Sequence, residues 1–98
     1  MISKSPAKRG NTTKVTFELP ADSIRDGVCL CGDFNSWSQE GTPMTRRKSG
    51  RYSTTLTLEQ GRSHRFRYLI DGERWENDEA ADEYMDNGYG TKDSVVLT

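Results

Sequence analysis

A chain of 98 residues is one domain with room for a short extension, which excludes a large enzyme. Leu, Ile, Val and Phe supply only 16 of those residues, yet 14 basic and 15 acidic side chains nearly cancel and the apolar positions fall in clusters, so the composition describes a folded domain with a thin core. It has neither the roughly 20 apolar residues of a membrane span nor the apolar block of a signal peptide, and reads as cytoplasmic.

Residues 1–13 hold Lys4, Lys8 and Arg9 among Ser, Pro, Gly, Asn and Thr, and predict a flexible basic tail ahead of a domain over 14–98. From Lys14 onward the apolar period is two. Val15, Phe17 and Leu19 alternate with Thr16 and Glu18, and Val28 and Leu30 with Cys29 and Cys31. Tyr52, Leu56 and Leu58 alternate with Ser53, Thr55 and Thr57. Phe66, Tyr68 and Ile70 then form one face of a strand whose other face is Arg65, Arg67 and Leu69. A last strand runs from Ser94 to Leu97, and turn formers separate these segments. No helical period persists, although Asp78 to Met85 has room for one or two turns. About seven short strands predict an all-β, antiparallel sandwich of immunoglobulin type, with Phe17, Leu30, Leu56, Phe66, Tyr68 and Val95 in its core.

Asp71-Gly72 signals a hairpin, and its loop length decides where Trp75 points. A two-residue loop sets Tyr68 opposite Trp75 and sends the indole to the core. A three-residue loop sets Leu69 opposite Trp75 and turns the indole to the face of Arg67. Trp37, in the polar stretch Gly32 to Ser38, is open to both a buried and an exposed reading.

The inventory for catalysis is poor. Glycoside hydrolysis needs two carboxylates fixed across a cleft, whereas Asp78, Glu79, Asp82, Glu83 and Asp86 share one loop-like stretch. His64 is the only histidine, has no nucleophile in motif context and reads as a surface or edge residue. Two cysteines one residue apart and one histidine make neither a disulfide nor a metal site, so no metal and no cofactor is expected.

Charge is segregated: residues 1–67 carry 12 basic and 6 acidic side chains, residues 68–98 carry 2 and 9, so the acidic stretch is expected to pack near the arginine-rich strands. Flat aromatic faces beside an arginine fork suit stacking on sugar rings and bonding their hydroxyls. The same set suits the bases of a single-stranded nucleic acid, but the acids around Trp75 would repel its phosphates and leave neutral sugars unopposed.

Three stretches, Val28 to Trp37, His64 to Asp78 and Gly88 to Val96, together resemble carbohydrate-binding module family 48. This is the isoamylase N-terminal or early-set domain, also found as the glycogen-binding domain of the AMP-activated protein kinase beta subunit. The resemblance covers residues 14–98 and is nearest to small bacterial proteins made of this domain alone. It implies an immunoglobulin-like sandwich that binds α-1,4-glucans such as glycogen and starch without catalysis. The stacking tryptophans would be Trp37 and Trp75 and the hydroxyl-bonding base Arg67. A leucine that threads a cyclic glucan corresponds to Tyr89, and a hydroxyl-binding asparagine to Asp93. The alternative that the resemblance leaves open is a docking module for a protein partner in glycogen metabolism, its sugar surface vestigial.

Overall fold

The computed structural model describes residues 1–6, 10–22, 24–38 and 40–98. Among them the strands are β1 (Ile2–Pro6), β2 (Thr12–Pro20), β3 (Val28–Gly32), β4 (Thr42–Pro43), β5 (Thr45–Arg46), β6 (Arg51–Glu59), β7 (Ser63–Ile70), β8 (Arg74–Glu76), β9 (Glu83–Asp86) and β10 (Lys92–Leu97). They pair antiparallel in two sheets. One has the order β1-β2-β6-β5; the other runs β4-β3-β7-β10-β9, with β8 added to β7. This is the expected sandwich. Several of the strands have only two or three residues, too few to leave an alternation that the sequence reveals.

Alternation builds the core. In the ladder of β2 with β6, Val15 stands opposite Leu56 and Phe17 opposite Thr54; in that of β3 with β7, Leu30 stands opposite Tyr68 and Val28 opposite Ile70. Val15, Phe17, Leu30, Phe66 and Tyr68 are fully buried, and Leu56 packs partly buried against them. Phe66 meets Phe17 edge-on at 5.0 Å and Tyr68 at 5.7 Å between ring centroids, the tilted arrangement that aromatic quadrupoles favour. Val95 is buried but belongs to the opposite face: it pairs with Arg65, while Ser94 pairs with Phe66, so Val96 supplies the core contact. A Val-Val pair has no phase of its own, and register alone assigns the faces.

Two expectations are corrected. Ile2–Pro6 forms β1, with Ile2 opposite Phe17 and Pro6 opposite Thr13, where a free tail was predicted; residues 7–9 of that tail lie outside the described residues. Backbone pairing needs few apolar side chains, and polar contacts reinforce it: Lys4 Nζ lies 2.5 Å from the Asp82 carboxylate. Burial raises the Asp82 carboxyl, but the Leu97 amide and Lys4 outweigh it and hold the group below the usual carboxylate range. The stretch with room for helical turns instead contains β9.

That stretch is anchored by Asp78, which is fully buried. Its Oδ2 accepts from the Tyr68 hydroxyl at 2.6 Å and from the Met1 ammonium at 3.0 Å, and its N–H donates to Ser94 Oγ at 2.9 Å. Burial first, then the charge and hydrogen bond of Asp78, push the Tyr68 phenol far above its ordinary value and keep it a donor.

Candidate functional site

The outer face of the second sheet presents Arg65, Arg67 and Leu69 from β7, Trp75 from β8, Asp93 from β10 and Met85 from β9, all fixed by ladder pairing. The β7–β8 hairpin closes with Glu73 N–H donating to Ile70 C=O at 3.1 Å, and both Asp71 and Gly72 have positive φ, as a tight primed turn requires. The ladder resumes one residue later, with Ile70 opposite Arg74 and Leu69 opposite Trp75, so Glu73 is an extra residue on the β8 side. The three-residue loop is the one adopted. Trp75 lies outward, with its ring centroid 5.9 Å from the Arg67 guanidinium carbon.

Asp71 holds this hairpin to the preceding loop. Its carboxylate accepts from the backbone N–H groups of Arg25, Asp26 and Gly27, the shortest at 2.7 Å from Asp26. The Asp26 bond foremost, assisted by those of Gly27 and Arg25, holds the carboxyl below its usual range against the opposing effect of burial.

Trp37 is delivered by a 3-10 turn, Asp33–Asn35, that leaves the end of β3. Asn35 Oδ1 accepts from Gly32 N–H at 3.0 Å, its Nδ2 donates to Leu30 C=O at 2.9 Å, and Asp33 Oδ2 accepts from Arg65 N–H at 3.0 Å. Trp37 N–H then donates back to Gly32 C=O at 2.8 Å, with Ser36 and Trp37 both left-handed at φ 57 and 56. Two successive non-glycine residues in that region store strain, which the surrounding hydrogen bonds hold. Gly32 has no substitute, since a Cβ there would run into the Arg65 carbonyl oxygen. The glycine, the aspartate and the asparagine around Phe34 thus form a scaffold that aims an indole.

Gly41, at φ 48, passes so close to β3 that a Cβ would stand 2.7 Å from Leu30 O and 2.9 Å from Cys31 Sγ. It covers Cys31, whose thiol is pushed up to about 11, first by burial and then by Cys29; neither cysteine is in a disulfide. His64 is not a surface residue: its side chain is 13% exposed, Nδ1 lies 3.7 Å from Asp33 Oδ1, and Nε2 is buried with no hydrogen-bond partner among the described residues.

The remaining wall is the β9–β10 loop. Asn87 Nδ2 donates to Thr91 Oγ1 at 2.7 Å and to Asp93 Oδ1 at 3.1 Å, while its Oδ1 accepts from Tyr89 N–H at 3.0 Å. Gly88 and Gly90 flank Tyr89 with positive φ, and the loop leaves Tyr89 89% exposed. Asp93 is buried, and its Oδ2 lies 3.7 Å from Arg65 Nη1, which also donates to Asp86 C=O at 3.3 Å. The acidic stretch therefore does meet the arginine-rich strand.

These parts converge on one open cleft of about 530 Å³, lined by Trp37, Arg65, Arg67, Trp75, Asn87, Tyr89 and Asp93. All five residues singled out from the sequence line it. Arg65 and Asn87 are additions. Arg65 was legible, being two residues from Arg67 on the same strand face; Asn87 acts through loop hydrogen bonds that no period announces. No group of side chains suited to hold a metal occurs among the described residues, and no helix among them is long and apolar enough to cross a membrane.

Indole faces, guanidinium and amide donors and a polar floor in an open cleft on a β-sandwich define a carbohydrate-binding module. The chain belongs to the family of the glycogen recognition site of AMP-activated protein kinase, whose model matches residues 9–96. No curated protein matches it. It is a carbohydrate-binding domain of the glycogen-recognition kind.

Proposed function

We propose that this domain binds α-1,4-linked glucans of the glycogen and starch type and leaves them chemically unchanged. In this reading Trp37 and Trp75 stack against glucose rings, Arg67 donates hydrogen bonds to hydroxyls, and Tyr89 and Asp93 complete the cleft.

The observation that carries it is the convergence of two tryptophans, supplied by separate elements, on the same cleft as an arginine. A pyranose ring offers an apolar C–H face to an indole and a rim of hydroxyls to polar groups, so stacking and bidentate donation act on one unit at once. A curved α-1,4 chain turns successive rings, and platforms on the β3 side and the β8 side suit neighbouring units of such a curve. Binding without hydrolysis is supported by the lining. Its carboxylate, Asp93, is tied to Asn87 and Arg65, whereas glycoside hydrolysis works through two carboxyl groups roughly 5 to 9.5 Å apart on either side of the bond.

Electrophoresis through a native gel cast with glycogen tests the reading. The wild-type domain is expected to be retarded and Arg67→Ala to migrate as in a glycogen-free gel, with both variants folded by circular dichroism. Unretarded wild type would sink the proposal.

A further inference from the structure

The charges around the cleft are not balanced. Among the described residues, Arg65 has Asp93 as its counter-ion, but Arg67 has no carboxylate within salt-bridge distance. The only hydrogen bond its guanidinium makes to the described residues is a long one, 3.5 Å from Nη2 to the Trp75 carbonyl oxygen, and its Nε is buried without a partner among them. A cation half-removed from water with most of its donors unspent is a destabilised group, and an incoming anion offsets that cost far better than a hydroxyl does. Guanidinium is also the side chain whose fork matches a phosphate.

The acids that flank Trp75 in sequence are turned elsewhere. Asp71 is occupied by three backbone amides, Glu73 lies 3.2 Å from Arg25, and Asp78 is inside the sandwich on Tyr68. Glu76 alternates to the face opposite Trp75 and lies 3.8 Å from Arg74. What faces the cleft is two guanidinium groups against one carboxylate, a net positive site with aromatic walls. The objection that the local sequence raises against phosphate does not hold in the fold.

We infer that the cleft prefers α-glucan chains carrying a phosphate monoester, the sugar ring stacking on Trp75 and the phosphate taking the unpaired charge of Arg67. This rests on the glucan reading above and narrows its substrate class. The shared chemistry, a phosphorylated glucose unit, also occurs in free glucose 6-phosphate. That monomer is expected to bind far more weakly, because it reaches one platform and not two.

Isothermal titration with maltoheptaose, with maltodextrins of similar length phosphorylated at C6, and with glucose 6-phosphate tests the inference. The phosphorylated chain should bind about tenfold more tightly than the neutral one at low salt, the worth of one charge-assisted contact. That advantage should shrink as salt rises, fall to about unity in Arg67→Gln, and grow in Asp93→Asn, which removes the cleft's carboxylate. Equal or weaker binding of the phosphorylated chain overturns this inference and leaves the glucan reading standing. Failure of both chains to bind overturns both, and glucose 6-phosphate binding as tightly as the phosphorylated chain shows a sugar-phosphate site instead of a glucan site.

Discussion

Leu69 and Trp75 stand opposite one another across the β7–β8 hairpin, because Glu73 closes the turn and takes no place in the ladder. Were Glu73 in the ladder opposite Ile70, Trp75 would pair with Tyr68, whose side chain is fully buried between the sheets. One residue of loop length thus decides whether the cleft has its second indole.

Inserting one residue between Glu73 and Arg74 should therefore remove glucan binding while leaving a folded sandwich. With the three-residue loop kept, the insertion sets Trp75 opposite Tyr68 and flips it inward, or forces the short β8 to detach; either way the indole leaves the cleft. Retardation in glycogen gels compares the insertion with wild type, and normal retardation would show that the register does not govern the site.

Truncation of Phe66 to Ala should cost about 3 to 5 kcal/mol, because the ring is fully buried and touches both Phe17 and Tyr68. For a domain of this size that is a large share of the total. A urea midpoint near that of wild type would mean that the faces of β7 are reversed.

Gly32→Ala is expected to damage stability and binding together. The added methyl meets the Arg65 carbonyl oxygen and the Phe34 ring, 2.8 Å from Cζ, and relief requires the 3-10 turn that carries Trp37 to move. An overpacking cost of about 1 to 3 kcal/mol follows, with weaker sugar affinity even where the protein stays folded. Denaturant melts paired with glycogen-gel mobility check both halves of the claim.

Acid should loosen the β7–β8 hairpin through Asp71. Its folded pKa is depressed by the Asp26, Gly27 and Arg25 amides, so its contribution is present in full above the unfolded value of about 3.9 and is lost as pH falls through the folded value. Asp71→Asn retains tolerance of the positive φ, and should flatten the decline of stability below about pH 4 relative to wild type. Denaturant midpoints between pH 2 and pH 7 measure it; parallel curves for the two proteins would exclude Asp71 as the group responsible.

The parts of this fold that were legible in the sequence are those where burial writes a period. β2, β6 and β7 each place one face in the core, and their alternation survives in Val15-Phe17-Leu19 and Phe66-Tyr68-Ile70. β1 and β9 left no such trace: β1 has a single partly buried apolar residue, Ile2, and every residue of β9 is exposed, so backbone pairing alone defines them. Val95 and Val96 could be told apart only by their partners Arg65 and His64. In the cleft, the aromatic and basic residues announced themselves by type, and Asn87 did not, because its work is to bind Thr91, Asp93 and the Tyr89 amide within a loop. The orientation of Trp75 hung on loop length, which Asp71-Gly72 allowed in two forms.

The central claim, that Trp37 and Trp75 together hold a glucan chain, is tested most directly by their own fluorescence, since the chain contains no other tryptophan. Titration with β-cyclodextrin or maltoheptaose should give a saturable change in the wild type, weakened or abolished in folded Trp37→Ala and in folded Trp75→Ala alike. A saturable change retained at full affinity in either variant, or none in the wild type at millimolar sugar, would contradict it.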